Sequence, residues 1–238
     1  MNDNVAYSGF MAGGVQTIIG HPYDTVKTRI QIFDNNYKDT IINIYKKEGI
    51  RSFYKGGLVP FISGCFQNCI LFSVEDYCQK YFKEHYITGC IAGSISTITT
   101  SPAELIKCHI QENKSKHLKV KEVMNILKQK NISLSTGFLS TLIRESGGFS
   151  IYFSSYNYLQ DKYNNPLING GIAGALSWIY SYPIDVIKTQ KQLYNNSYKN
   201  IIRNIKYRNY IKGMDIMLLR SLIVNAGIFY TYEKIRIN

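Results

Sequence analysis

The stretch HPYDTVKTRIQ, His21–Gln31, decides how this chain folds. A proline precedes an acid and a base three residues apart, and a glutamine closes the run. The spacing is helical, yet proline in a helix interior costs about 3 kcal/mol. The stretch recurs as SPAELIKCHIQ (Ser101–Gln111) and YPIDVIKTQKQ (Tyr182–Gln192). The prolines Pro22, Pro102 and Pro183 stand 80 and 81 residues apart. Two residues after each comes an acid (Asp24, Glu104, Asp185). Five after comes a lysine (Lys27, Lys107, Lys188), and nine after a glutamine (Gln31, Gln111, Gln192).

Working outward, the echo spans the chain, and internal repetition at a fixed period is read before any single element. Thirteen residues before each proline lies Gly9, Gly89 or Gly170, and nine before lies Gly13, Gly93 or Gly174. This small-xxx-small spacing lets helices approach closely in a membrane. Downstream, FYKG (Phe53–Gly56) matches YIKG (Tyr210–Gly213) and, weakly, LSTG (Leu134–Gly137). Seven residues past those glycines stand Ser63, Arg144 and Arg220; sixteen past stand Phe72, Phe153 and Phe229. The repeats are 1–82, 83–163 and 164–238, together one domain. Helices are predicted over 5–32, 58–82, 86–112, 135–162, 166–193 and 213–236. Each exceeds the ~20 residues that span a bilayer.

Composition agrees with a folded chain: 238 residues, 45% hydrophobic, 18% charged, with a formal charge of +12. The positive balance suits an anionic solute, a membrane surface or nucleic acid. The links 33–57, 112–136 and 193–213 hold sixteen Lys/Arg against five Asp/Glu, and they fall on one side. That follows the positive-inside tendency and puts both termini on the other side. No run of eighteen purely apolar residues occurs, but tilted helices around a wet cavity tolerate polar residues at membrane depth.

Five cysteines (Cys65, Cys69, Cys78, Cys90, Cys108) form no CxxC pair and no even framework, so they are expected as small buried side chains rather than disulfides or metal ligands. The four histidines are scattered, and two glycosylation sequons lack a secretory context. The opening residues read as neither a signal peptide nor a basic transit peptide, so no such segment is expected there. No GxxxxGK[ST] loop and no Ser/His/Asp or zinc spacing supports an enzyme, so no catalytic residue and no cofactor is expected. A soluble, basic, nucleic-acid-binding helical repeat is the remoter alternative, since the helix-interior prolines at matched depths speak against it.

Three proline kinks at one depth draw three helix ends toward a common axis. Acid and lysine at i and i+3 share a helical face. If that face points to the axis, each lysine pairs with an acid on the neighbouring helix, and each glutamine braces a pair. Independent intrahelical pairs, worth about 0.3–0.5 kcal/mol each, would explain neither the proline nor the triple repetition.

Pro-x-[Asp/Glu]-x-x-[Lys/Arg] three times, with EGIRSFYKG at Glu48–Gly56, resembles the mitochondrial carrier family over essentially the whole chain. The resemblance implies an all-α membrane protein: six tilted transmembrane helices in pseudo-threefold array around a cavity, with short matrix-side helices. It implies alternating access in the mitochondrial inner membrane, with Asp24, Lys27, Glu104, Lys107, Asp185 and Lys188 as the matrix gate. A second, cytoplasmic gate falls on Asp76, Glu233 and Arg236. It departs from the family's pattern where Asp76 meets Gln79 and Asn157 faces Gln160. The cardiolipin-type Tyr-Lys-Gly is intact at Tyr54–Gly56, partial at Ile211–Gly213 and degraded at Ser135–Gly137, so membrane lipid, cardiolipin included, is an expected partner of a monomer.

The family's substrate contacts fall on Ser63, Gln67, Asn68, Arg144, Glu145 and Arg220. Two arginines against one glutamate favour an anionic solute. The Asn/Lys/Ile/Tyr bias and compact length look like members encoded by giant DNA viruses, which would place the protein in a host mitochondrion. A nucleotide or deoxynucleotide of the ATP or dATP type, exchanged by antiport, is therefore expected; of Phe149, Tyr152, Phe153 and Tyr156 on the fourth long helix, one is available to stack on a base, while most are expected to face lipid or to pack. The Arg-acid pair on the fourth long helix instead resembles the amino-acid and carnitine carriers, and that is the alternative. Ornithine-type members place an acid near Gln67, which this chain lacks.

Overall fold

A computed structural model describes residues 3–33, 36–54, 57–112, 118–163, 165–211 and 213–237; the side chains of 3–6, 31–33, 37, 60, 207–208, 226–227 and 229–237 lie outside the described residues. Its helices are α1 (Asp3–Phe33), α2 (Tyr37–Asn43), α3 (Leu58–Cys78), α4 (His85–Glu112), α5 (Val120–Gln129), α6 (Phe138–Lys162), α7 (Pro166–Tyr194), α8 (Tyr198–Asn204) and α9 (Met214–Ile237). No strand occurs among the described residues.

Each repeat is thus a long helix, a link with a short helix, and a second long helix. Local chemistry sets the boundaries. α7 starts where Asn165 Oδ1 accepts from the Ile168 amide at 3.3 Å and Pro166 takes the first turn, where its missing N–H has no partner to lose. It ends where Lys191 Nζ donates to Asn195 Oδ1 and the Asn196 carbonyl, both at 3.0 Å. α6 begins at Phe138 rather than 135, because Gly137 adopts φ 86°, a left-handed conformation that a Cβ would strain. α3 ends at Cys78 rather than 82, where the chain turns and the Phe82 amide returns to the Cys78 carbonyl. Helical backbone runs through Pro22, Pro102 and Pro183 without a break.

The long helices close into a ring in the order α1, α3, α4, α6, α7, α9, with α9 packed back on α1. Within a repeat the pair approaches closely through glycine. A methyl group at Gly13 would strike the Gly64 carbonyl oxygen, and one at Gly93 the Glu145 carbonyl oxygen. At the equivalent Gly174 it would strike the side-chain amide of Asn225.

The ring is polar inside and apolar outside. Ser96, Thr97, Thr100 and Asn169 are buried, the hydroxyls donating to carbonyls about a turn back along the helix at 2.9 Å. Phe10, Ile18, Phe61, Phe66, Ile98, Leu139, Ile143, Ile168, Leu176, Ile179, Leu219 and Leu222 are exposed on the long helices. Among the described residues no single helix, taken alone, is long and apolar enough to cross a membrane. Buried apolar side chains form local clusters instead. Leu105 and Ile110 of α4 pack on Val123 and Leu127 of α5, and Val26 and Ile30 of α1 on Ile44. These clusters seat the short link segments against the proline ends of α1 and α4.

Candidate functional site

The proline ends bring three acids and three lysines together. Lys107 Nζ of α4 donates to Asp24 Oδ2 of α1 at 2.8 Å. Lys27 of α1 pairs with Asp185 of α7. Lys188 Nζ of α7 lies 2.9 Å from Glu104 Oε2 of α4. The pairs form a closed cycle, each helix giving a lysine to one neighbour and an acid to the other. Lys188 also lies 3.2 Å from Asp185 on its own helix. Lys27 Nζ sits 5.3 Å from the Trp178 ring centroid and 5.6 Å from that of Tyr182, within cation–π range.

Above this ring is a cavity of about 230 Å³ lined by all six long helices. Ser63, Gln67, Asn68, Arg144, Glu145 and Arg220 all line it, together with the six ring residues. Their bonding, however, is not that of open substrate contacts. Arg144 Nη2 donates to both carboxylate oxygens of Glu104, at 2.9 and 3.0 Å, and also to Glu145. Arg220 Nε lies 2.7 Å from Asp24 Oδ1. Both arginines are therefore tied to acids of the ring, Arg144 within its own repeat and Arg220 from the third repeat to the first, contacts that spacing does not reveal. Gln67 Nε2 donates to Glu145 Oε2 at 3.2 Å. Asn68 turns toward α1, donating to Gln16 Oε1 at 2.8 Å and the Gly64 carbonyl at 2.9 Å.

The glutamines differ from expectation. Gln111 Nε2 donates to Thr25 Oγ1 at 3.2 Å, and Gln192 Nε2 to the Ser101 carbonyl at 3.4 Å. Each bonds the adjacent helix beside the ring rather than an ion-paired side chain, because it lies a full turn past its lysine. The Gln31 side chain lies outside the described residues.

At the opposite end, Asp76 sits in the last turn of α3 and does not line the cavity. Gln79 bonds Glu75, not Asp76. Asn157 does not face Gln160: its amide donates to the Phe153 carbonyl at 2.8 Å, while Gln160 Oε1 accepts from Asn169 at 2.8 Å. The side chains of Glu233 and Arg236 lie outside the described residues, as do Lys55 and Gly56 of the lipid motif.

Sequence reasoning missed the fork from Arg29 to Glu48, at 2.5 and 2.8 Å, which ties the end of α1 to the link behind it. The signal was present, since Glu48 opens the EGIRSFYKG element. Of the cysteines, Cys65, Cys78 and Cys108 are buried, Cys69 is half-buried and Cys90 is exposed. Among the described residues no group of histidines, cysteines and acids is arranged to hold a metal ion.

Three repeats, a helical ring and a charged cavity closed at one end by interhelical ion pairs define a carrier-type protein rather than an enzyme. The chain belongs to the mitochondrial carrier protein family, whose model matches residues 4–86, 82–167 and 160–237. It is similar to mitochondrial ornithine transporter 1 of Saccharomyces cerevisiae, 30% identical over 96% of this chain and 93% of that one. It is also similar to the glutamate/glycine mitochondrial carrier ymc1 of Schizosaccharomyces pombe, 27% identical over 96% and 92% of the two chains. The mitochondrial arginine transporter BAC2 of Arabidopsis thaliana is 27% identical over 93% and 86%.

Proposed function

We propose that this chain is a multi-pass carrier of the mitochondrial inner membrane that moves an amino acid by alternating access. The observation that carries the reading is the adjacent Arg144–Glu145 pair facing the cavity from α6. An α-amino acid presents a carboxylate and an ammonium a few bonds apart, and a neighbouring guanidinium and carboxylate complement both charges. The names of the relatives, ornithine, glutamate/glycine and arginine carriers, point the same way. A nucleotide fits less well. The cavity is below the about 300–1,000 Å³ typical of pockets for drug-sized ligands.

The apolar exterior supports embedding in lipid. Hydropathy averaged along each helix counts the cavity-facing polar residues and hides the outer face. The basic links put the ion-paired end on the matrix side, and membrane lipid, cardiolipin included, is the partner of a monomer.

In this reading the ring is the matrix gate. A substrate carboxylate at Arg144 competes with Glu104, and Glu104 is also the partner of Lys188. Substrate binding thus loosens one link of the ring, and the ring opens only as far as the substrate favours the intermediate over the closed state. Asp76, Glu233 and Arg236 act at the cytoplasmic end.

The test is counter-exchange in liposomes holding the purified protein, with labelled amino acids, carnitine, ATP and dATP. Amino-acid exchange is expected; exchange of dATP with no amino acid would overturn the reading. Retention in the membrane after alkaline carbonate washing is expected of the native protein.

A further inference from the structure

We infer that the amino acid carried has an uncharged, apolar or aromatic side chain, lodged against Phe72, Phe149 and Tyr152 while its head group engages Arg144 and Glu145. The inference rests on the amino-acid reading above and departs from the basic substrates in two relatives' names.

Charge gives the first argument. The carboxylates lining the cavity are Asp24, Glu104, Glu145 and Asp185, against the cations Lys27, Lys107, Lys188, Arg144 and Arg220. Every one of those carboxylates already has a cationic partner. A zwitterion with an uncharged side chain leaves the balance unchanged. A basic side chain adds to a surplus of positive charge and meets no uncommitted carboxylate, in a space where poor screening makes like charges repel strongly. An acidic side chain likewise meets no lining cation that lacks a carboxylate partner.

The wall gives the second argument. Phe149 lies one turn along α6 from Glu145 and Tyr152 two turns, about 6 and 10.5 Å at 1.5 Å per residue. Both line the cavity, and Phe72 joins them from α3. The rings are held in place rather than loose. Phe149 and Tyr152 pack edge to face at 6.5 Å, and Phe72 meets the buried Phe153 edge to face at 6.5 Å. Leu71, Val224 and Ile228 extend the same lining from α3 and α9. A head group at Arg144 and Glu145 therefore directs its side chain along α6 onto an aromatic and aliphatic surface.

The experiment uses the full chain in liposomes loaded with unlabelled amino acid and offered labelled phenylalanine, leucine, alanine, glutamate, arginine, ornithine and dATP. Phenylalanine and leucine should exchange at least about tenfold faster than arginine, ornithine or glutamate. Phe149→Ala should lower the phenylalanine-to-alanine uptake ratio by about tenfold, the scale of a lost pocket contact; the ratio is independent of how much variant protein is reconstituted. Arginine, ornithine or glutamate exchanging as fast as leucine overturns the inference and leaves the amino-acid reading standing. An unchanged ratio in Phe149→Ala also overturns it. Exchange of dATP alone overturns both. Ligand-induced thermal shifts of the detergent-purified protein give a second readout: phenylalanine should raise the melting temperature and arginine should not, and no shift with any amino acid overturns both readings.

Discussion

The two ends of the helical ring are built on different chemistry. At the proline end, three lysines and three acids form an unbroken cycle of interhelical ion pairs, joined by Arg144 and Arg220. At the other end, the described residues offer mostly amides: Gln79 on Glu75, Asn169 on Gln160, and Asn157 on its own helix. The difference teaches where the repeats have kept threefold equivalence. Charges that must meet a partner from another repeat recur in all three at the proline end. At the far end the described contacts are not threefold equivalent: Gln79–Glu75 and the Asn157 bond stay within a repeat, while Asn169–Gln160 joins the second repeat to the third.

Four substitutions sharpen or break that contrast. Arg144→Ala should have the largest effect, because it strips a partner from Glu104 and Glu145 together. Removing one side of a buried ion pair costs about 3–5 kcal/mol, so thermal unfolding in detergent should fall sharply and exchange should vanish. Lys107→Ala leaves Asp24 with Arg220. Exchange in liposomes should fall by at least about tenfold, a barrier change of roughly 1.4 kcal/mol, and wild-type rates would reject the gate role. Gly93→Val forces a side chain against the Glu145 carbonyl, and the overpacking should destabilise by about 1–3 kcal/mol in the same unfolding assay. Asp76→Asn, at the amide-rich end, should change stability by less than about 0.5 kcal/mol, as most surface substitutions do. A destabilisation as large as that from Arg144→Ala would show that the two ends are not different in kind.

Much of the architecture was legible in the chain. The recurrent Pro-acid-Lys-Gln marked three repeats and the first, third and fifth long helices, α1, α4 and α7, and the upstream glycines mark close approaches at Gly13 and Gly93. Spacing also aligned Ser63, Arg144 and Arg220 at one level. It did not disclose that Arg144 and Arg220 reach acids on other helices, because such contacts depend on helix rotation and side-chain length. The brace role assigned to Gln111 and Gln192 failed for a related reason. Periodicity puts them on the right face but one turn too far from the ion pairs, where Thr25 and the Ser101 carbonyl are nearer. The start of α6 was misplaced because LSTG reads as a helix entry until Gly137 is seen in its left-handed turn. Hydropathy was least informative of all, since an average along a helix cannot distinguish Ile98 facing out from Ser96 facing in.

That inside-out distribution bears on how the protein comes apart. Unfolding of a water-soluble domain raises the heat capacity by about 12–15 cal/mol/K per residue, mainly because apolar groups become wet. Here Ile18, Phe66, Ile98 and Leu176 face outward before any unfolding begins, and serine, threonine and asparagine fill much of the interior. In lipid or detergent the calorimetric step on melting should therefore be small for the chain's length, and its stability should vary little with cooling.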